Sequence, residues 1–206
     1  MSELIVSVSG VRGVVGESLT KEVVERFTRA AAAVLEAGAI VVSRDGRANG
    51  IELADHVGRT LSAGGRHVIQ AGITSTPTTG ILVRKLGAAG GIQISASHNP
   101  VQYNGIKLFD ATGRVLTARQ GEQVRDLYLD SKNHVLSSET PGTIQECADT
   151  LSDHLDLVLA TVDSEAIRRQ NYRVLLDANH GAGGLLGRRL LETLGCQVHL
   201  LGEEPH

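Results

Sequence analysis

The chain has 206 residues, 41% of them hydrophobic and 21% charged, a balance that supports a globular core and excludes intrinsic disorder. A net charge of −3 and an aromatic content of 2% supply neither the basic stripe nor the stacking platforms that nucleic acid requires. The two cysteines cannot build a disulfide framework, no apolar run approaches the roughly 20 residues of a membrane span, and no basic-then-apolar leader opens the chain, so the expectation is a soluble, cytoplasmic protein with no membrane partner.

In chain order, Leu4 to Val8 reads as a strand and Ser9 to Gly16 as a glycine-rich loop. Thr20 has the character of an N-cap for a helix reaching Glu36, with Val23, Val24, Phe27, Ala30, Ala31 and Val34 along one face. Ala39 to Ser43 is a second strand, Ile51 to Leu61 lies in a second helix, and His67 to Ala71 is a third strand. Pro77 opens a helix through Leu86, at the position where a missing N–H costs nothing. Ala88 to Ile94 is a fourth strand, followed by a hairpin of Ile106–Phe109 and Arg114–Leu116, then a helix from Ala118 to Leu129.

Between Asp130 and Gly142 the periodicity dissolves, which marks the approach to a boundary between domains at 1–145 and 146–206. A long helix from Ala148 to Gln170, a strand from Tyr172 to Leu176, a helix from Gly184 to Leu194 and a strand from Gln197 to Leu201 complete the pattern. Alternating strands and helices predict an open α/β sheet with ligands at the carboxyl ends of its strands. A lone β-α-β unit leaves an open edge and an uncovered face, so the second domain reads as incomplete and its edge as a route to self-association.

The densest chemistry lies after the fourth strand, in Ser95-Ala96-Ser97-His98-Asn99-Pro100 with Lys107 beyond it. Proline forces the preceding residue out of the helical region, so these groups share a short loop. A loop serine is as often a turn former as a nucleophile. Serine hydrolysis needs an oriented base, yet no elbow glycines flank Ser97, and neighbouring side chains on an extended segment point apart, so His98 is poorly placed as that base. Phosphoryl transfer asks for positioning and positive charge, and Arg12, Arg44, Arg47 and Lys107 all fall in or beside loops at strand ends. Each alone would be an ordinary surface charge; several together, beside a serine and among glycines, weaken that reading.

Gly181-Ala182-Gly183-Gly184-Leu185-Leu186-Gly187 opens a helix after a strand, with Glu203 further on, and bears comparison with a dinucleotide-binding turn. The pattern fails at Leu186, and Asp177 to His180 separate strand from glycines, which leaves helix–strand packing as the simpler reading. His67, His134, His154, His180 and His199 show no metal-ligand spacing.

Gly10-Val11-Arg12-Gly13-Val14-Val15-Gly16, Ser43-Arg44-Asp45-Gly46-Arg47, and Ser95-Ala96-Ser97-His98-Asn99-Pro100 with Asn104-Gly105-Ile106-Lys107 resemble, in order and spacing, the α-D-phosphohexomutase superfamily. Leu176-Asp177-Ala178-Asn179-His180-Gly181 resembles the opening of that superfamily's second domain, so the resemblance covers the chain. It implies an α/β fold: a three-layer open mixed sheet with helices on both faces, then the start of a second similar domain. It also implies that Ser97 is a phosphoserine exchanging its phosphoryl group with a hexose phosphate through a bisphosphate intermediate, primed by a hexose 1,6-bisphosphate. By the same resemblance Lys107 and Arg12 assist proton transfer or stabilise charge, and His98, Asn99, Arg44 and Arg47 bind phosphate or substrate. The phosphate on Ser97 would be one ligand of Mg²⁺, a cation that favours oxygen.

The serine motif with Asn104-Gly105-Ile106-Lys107 leans toward the phosphoglucosamine mutases, with phosphomannomutase/phosphoglucomutase as the near alternative. A non-catalytic module that binds sugar phosphate or a partner is the alternative from another class. Ser95 stands where many members have threonine, and no Asp-x-Asp-x-Asp occurs in the chain. In the superfamily the metal loop, the sugar-selecting loop and a further phosphate loop lie in later regions, so the expectation is that these 206 residues alone do not turn over hexose phosphates.

Overall fold

The computed structural model describes residues 3–130 and 138–205. Seven strands form one mixed sheet: β1 (Ile5–Ser7), β2 (Gly10–Val14), β3 (Ile40–Arg44), β4 (Val68–Ile73), β5 (Gly90–Ile94), β6 (Tyr103–Asp110) and β7 (Ile144–Glu146), in the order β1-β2-β6-β5-β3-β4-β7. The strands β5, β3, β4 and β7 run parallel, while β6, β2 and β1 join antiparallel at one side.

Helices α1 (Lys21–Val34), α2 (Gly50–Ala63) and α4 (Ala118–Leu129) cover one face; α3 (Thr76–Lys85) covers part of the other. Strand alternation divides the core accordingly. Ile40, Val42, Ile92, Ile94, Ile106 and Leu108 join Phe27, Val57 and Val124 under the first layer, whereas Val41, Ile69 and Phe109 pack with Leu82 and Val83 of α3. The expected three-layer α/β architecture is therefore what forms. Thr20 caps α1 by accepting from the Val23 N–H (3.4 Å), and Thr117 with Gln120 makes a capping box on α4.

Four local expectations are corrected. The glycine-rich segment read as a loop from Ser9 to Gly16 contains strand β2, because Val11 and Val14 bury themselves and Gly10 lets the backbone approach β6; a Cβ there would lie 1.9 Å from the Ile106 carbonyl oxygen. The hairpin after the serine loop has one full arm, β6, and its return is only a bridge from Phe109 to Val115. The long helix from Ala148 to Gln170 divides into α5 (Ser152–Leu159) and α6 (Ser164–Arg168), because the Asp163 carboxylate accepts from the Ala166 N–H and starts a new helix. Strand β7 was missed, since all three of its residues are exposed and carry no hydrophobic alternation.

Beyond α6, β8 (Arg173–Asp177) and β9 (Gln197–Leu201) form a parallel two-stranded sheet packed against α7 (Gly183–Thr193). His134 and most of the segment from Asp130 to Gly142 lie outside the described residues.

Candidate active site

The site grows from the antiparallel side of the sheet, on the face that α3 shares. Buried Val11, Ile106 and Ile94 point into the opposite layer, so Arg12, Gly105, Lys107, Gln93 and Ser95 point out of this one. Helix α3 packs on β3, β5 and β6, and beyond it the face over β6, β2 and β1 is open. Arg12 is paired in register with Gly105, and Lys107 neighbours Gly10 across the same ladder. Both cations thus stand opposite a residue with no side chain, which leaves them room on one face.

Ser97 is the first central residue of the turn from Ala96 to Asn99 that follows β5. Its φ of +56° lies in the left-handed region, which a serine enters only where the surroundings enforce it. The loop is knit locally: Ser95 N–H donates to Gly105 O (2.9 Å), Asn99 Nδ2 to Ala96 O (2.7 Å) and Asn99 N–H to the same carbonyl (3.1 Å). From the neighbouring β3–α2 turn, Asn49 Nδ2 donates to Val101 O (3.0 Å), while buried Asn104 donates to Asn49 Oδ1 (2.8 Å).

Two clefts flank Ser97. A small one of about 100 Å³ is lined by Ser97, Ser95, Arg12, Lys107, Ser7 and Ser9 among others. The side chains of Arg12 and Lys107 make no hydrogen bond or ion pair with any described residue. Two half-buried cations without counter-charges, facing a hydroxyl across so small a space, have the chemistry to receive an anion. The larger cleft, about 520 Å³, lies on the other side of Ser97, between the β3–α2 turn, the start of α3 and residues 179–183. Behind it Ser43 and Thr74 both share hydrogen bonds with Thr79 (2.8 and 2.9 Å), and Gln93 Nε2 donates to Thr74 O (3.1 Å).

The remaining expected residues take different places. His98 Nδ1 lies 3.4 Å from Ser97 Oγ, closer than an extended segment would allow, because the left-handed turn brings the side chains to one side. That distance is long, and no described carboxylate hydrogen-bonds the imidazole, so a serine-hydrolase triad is absent among the described residues. Arg47 borders the larger cleft and turns its guanidinium onto the loop's carbonyl oxygens. Arg44 lines neither cleft; its Nη1 donates to Asp45 O (3.1 Å), and burial pulls its guanidinium below the ordinary value against the opposing field of Asp45.

Sequence reasoning missed the start of α3, where Thr74 to Pro77 line the larger cleft, and the Asn49–Asn104 pair. The signal available was Ser75-Thr76-Pro77 at a strand-to-helix turn, which was read only as a helix start. The glycines at 184 and 187 serve packing: a Cβ on Gly184 would lie 2.7 Å from that of Ala178, and one on Gly187 would lie 3.0 Å from Leu176. Among the described residues no group of three or more His, Cys, Asp or Glu could hold a metal ion. The described side chains by themselves therefore do not supply a carboxylate set for Mg²⁺.

Residues 4–134 match the family described as phosphoglucomutase/phosphomannomutase, alpha/beta/alpha domain I. A phosphoglucosamine/phosphogalactosamine mutase of Sulfurisphaera tokodaii is 32% identical over 194 residues, covering 93% of this chain and 43% of that protein. A phosphoglucosamine mutase of Clostridium botulinum is 32% identical, covering 95% of this chain and 44% of its own length. Among solved structures, a phosphoglucomutase/phosphomannomutase family protein from Burkholderia thailandensis superposes with a TM-score of 0.75 at 25% identity, over 98% of this chain and 44% of the other. The chain spans less than half the length of these relatives.

Proposed function

From the premise that the chain belongs to the phosphoglucomutase/phosphomannomutase family, matched over residues 4–134, we propose that it is the phosphoserine-bearing part of a phosphohexomutase. The observation that carries this reading is the single small cleft holding Ser97, Arg12 and Lys107, with both cations unpaired among the described residues. In the proposed reaction a sugar hydroxyl attacks the phosphorus on Ser97. The new sugar O–P bond forms as the Ser97 Oγ–P bond breaks, the hydroxyl gives up its proton and Oγ leaves as an alkoxide that is reprotonated. The bisphosphate then reorients and returns its other phosphoryl group to Ser97 by the reverse exchange.

Arg12 and Lys107 face the oxygens on which charge spreads during transfer, and Lys107 is also the group able to pass a proton. The names of the relatives favour a hexosamine phosphate, with mannose or glucose phosphate as the alternative. Hexose 1,6-bisphosphate is the proposed priming donor. Mg²⁺ belongs to the reading only through the phosphate that Ser97 would carry. We further propose a division into units at 1–145 and 146–206, and self-association through the two-stranded sheet of β8 and β9, whose outer edges are unpaired among the described residues. Light scattering that finds only monomer would refute the self-association.

Intact-mass analysis after incubation with a hexose 1,6-bisphosphate tests the central claim. A single phosphoryl adduct that disappears in Ser97→Ala supports a mutase. No adduct with any bisphosphate, alongside measurable binding of hexose phosphate, would establish the non-catalytic module instead.

A further inference from the structure

Arg47 sits on the β3–α2 turn, fifty residues before the serine loop, and its guanidinium is directed into that loop's backbone. Nη1 donates to Pro100 O (3.0 Å), and Nη2 donates to both Ser97 O (3.1 Å) and Asn99 O (2.7 Å). The fork is oriented from behind: Nε lies 3.3 Å from Asp45 Oδ2, and the Arg47 main-chain N–H donates to Oδ1 of the same carboxylate (3.1 Å). The Arg47 side chain is only 15% exposed. Three carbonyls converging on one permanently charged, planar donor make a stronger tie than neutral loop contacts, and its removal leaves acceptors facing one another.

The position of these contacts decides what they do. Ser97 O and Asn99 O bracket the turn in which Ser97 holds its φ of +56°. A serine in the left-handed region is strained and persists only where neighbouring contacts fix it. We propose that Arg47 is a positioning residue: it holds the loop carbonyls inward and so keeps Ser97 Oγ presented to the cleft of Arg12 and Lys107. It acts through Ser97 more than as a phosphate ligand: although Arg47 borders the larger cleft, three of its five N–H donors end on loop carbonyls and its Nε faces Asp45. Lysine in its place supplies the charge without the fork. The positioning itself stands on geometry alone; only the use made of the presented hydroxyl rests on the function proposed above.

Hydrogen exchange followed by mass spectrometry on peptides spanning 95–103, in the unaltered protein and in Arg47→Lys and Arg47→Ala, tests the clamp. Loss of the tie is expected to speed exchange of the Asn99 and Tyr103 amides by about tenfold, while β3 and β5 keep their protection. Millimolar methylguanidinium should restore protection in Arg47→Ala. If either Arg47 variant unfolds, Asp45→Asn, which frees the fork from its orienting carboxylate, should show the same loop-confined loosening at smaller size. Unchanged loop exchange in Arg47→Ala, or full protection in Arg47→Lys, overturns the proposal. A second readout is phosphoryl loading of Ser97 from a hexose 1,6-bisphosphate: the rate should fall with the half-saturating concentration unchanged. A raised half-saturating concentration at unchanged rate would make Arg47 a phosphate ligand. If the unaltered protein takes no phosphoryl group, the proposed function fails, yet the exchange data still judge Arg47.

Discussion

At the scale of single residues, the site depends on Ser97 being in a conformation serine does not favour. Glycine enters the left-handed region without a Cβ clash, so Ser97→Gly should stabilise the fold by about 0.5–1 kcal/mol while abolishing phosphoryl loading. Urea unfolding paired with intact mass checks both halves; a destabilised Ser97→Gly would show that the turn is not strained. This residue pattern was partly legible in sequence. The hydroxyl, the proline and the neighbouring cations were visible as types in order. The left-handed φ and the direction of the Arg47 fork were not, because both follow from backbone contacts made by a turn fifty residues away.

At the scale of elements, two contacts hold the layer that builds the larger cleft. Gly80 in α3 and Gly113 in the turn after β6 meet backbone to backbone: a Cβ on Gly113 would lie 2.0 Å from Gly80 O, and Gly113 also has a φ of +75°. Gly113→Ala should therefore cost about 2–4 kcal/mol, readable as a lowered urea midpoint. The outer side of α3 is tied to α5 by the pair of Thr78 Oγ1 and His154 Nδ1 at 2.9 Å, beside the ion pair of Lys85 and Asp153. Burial lowers the His154 pKa below its ordinary 6.5, so the folded protein resists protonating it. This contribution is intact above pH 6.5 and is lost as pH falls from there through the folded value, below which both states are protonated and the loss is complete. Stability compared at pH 8 and pH 5.5 should fall more in the unaltered protein than in His154→Gln; an equal fall would remove His154 as the cause. The helix cap at Thr20 was readable because capping is local. The break between α5 and α6 was not foreseen, since an apolar pattern continues across it.

At the scale of the whole molecule, Ser97 lies where two clefts meet, and the larger one is closed on its far side by residues 179–183 of the β8–α7 turn. A Cβ on Gly46 would lie 2.9 Å from His180 O, so the β3–α2 turn and the β8–α7 turn are in direct apposition there. The proposed mutase cycle needs groups that select and reorient a sugar, and the chain spans under half the length of its curated relatives. These 206 residues are therefore expected to accept a phosphoryl group without turning over hexose phosphate; measurable turnover by the purified chain would refute this. The sequence by itself determined the alternation of strands and helices, the open α/β class and the residue types of the site, because periodicity, capping and motif order are local properties; the three layers were implied only by the family resemblance. Only the tertiary structure decided which cations share a cleft with Ser97. Register across β2, β6 and β5 sets Arg12 and Lys107 on its face opposite residues without side chains, whereas a different set of long-range bonds turns Arg47 onto the loop itself.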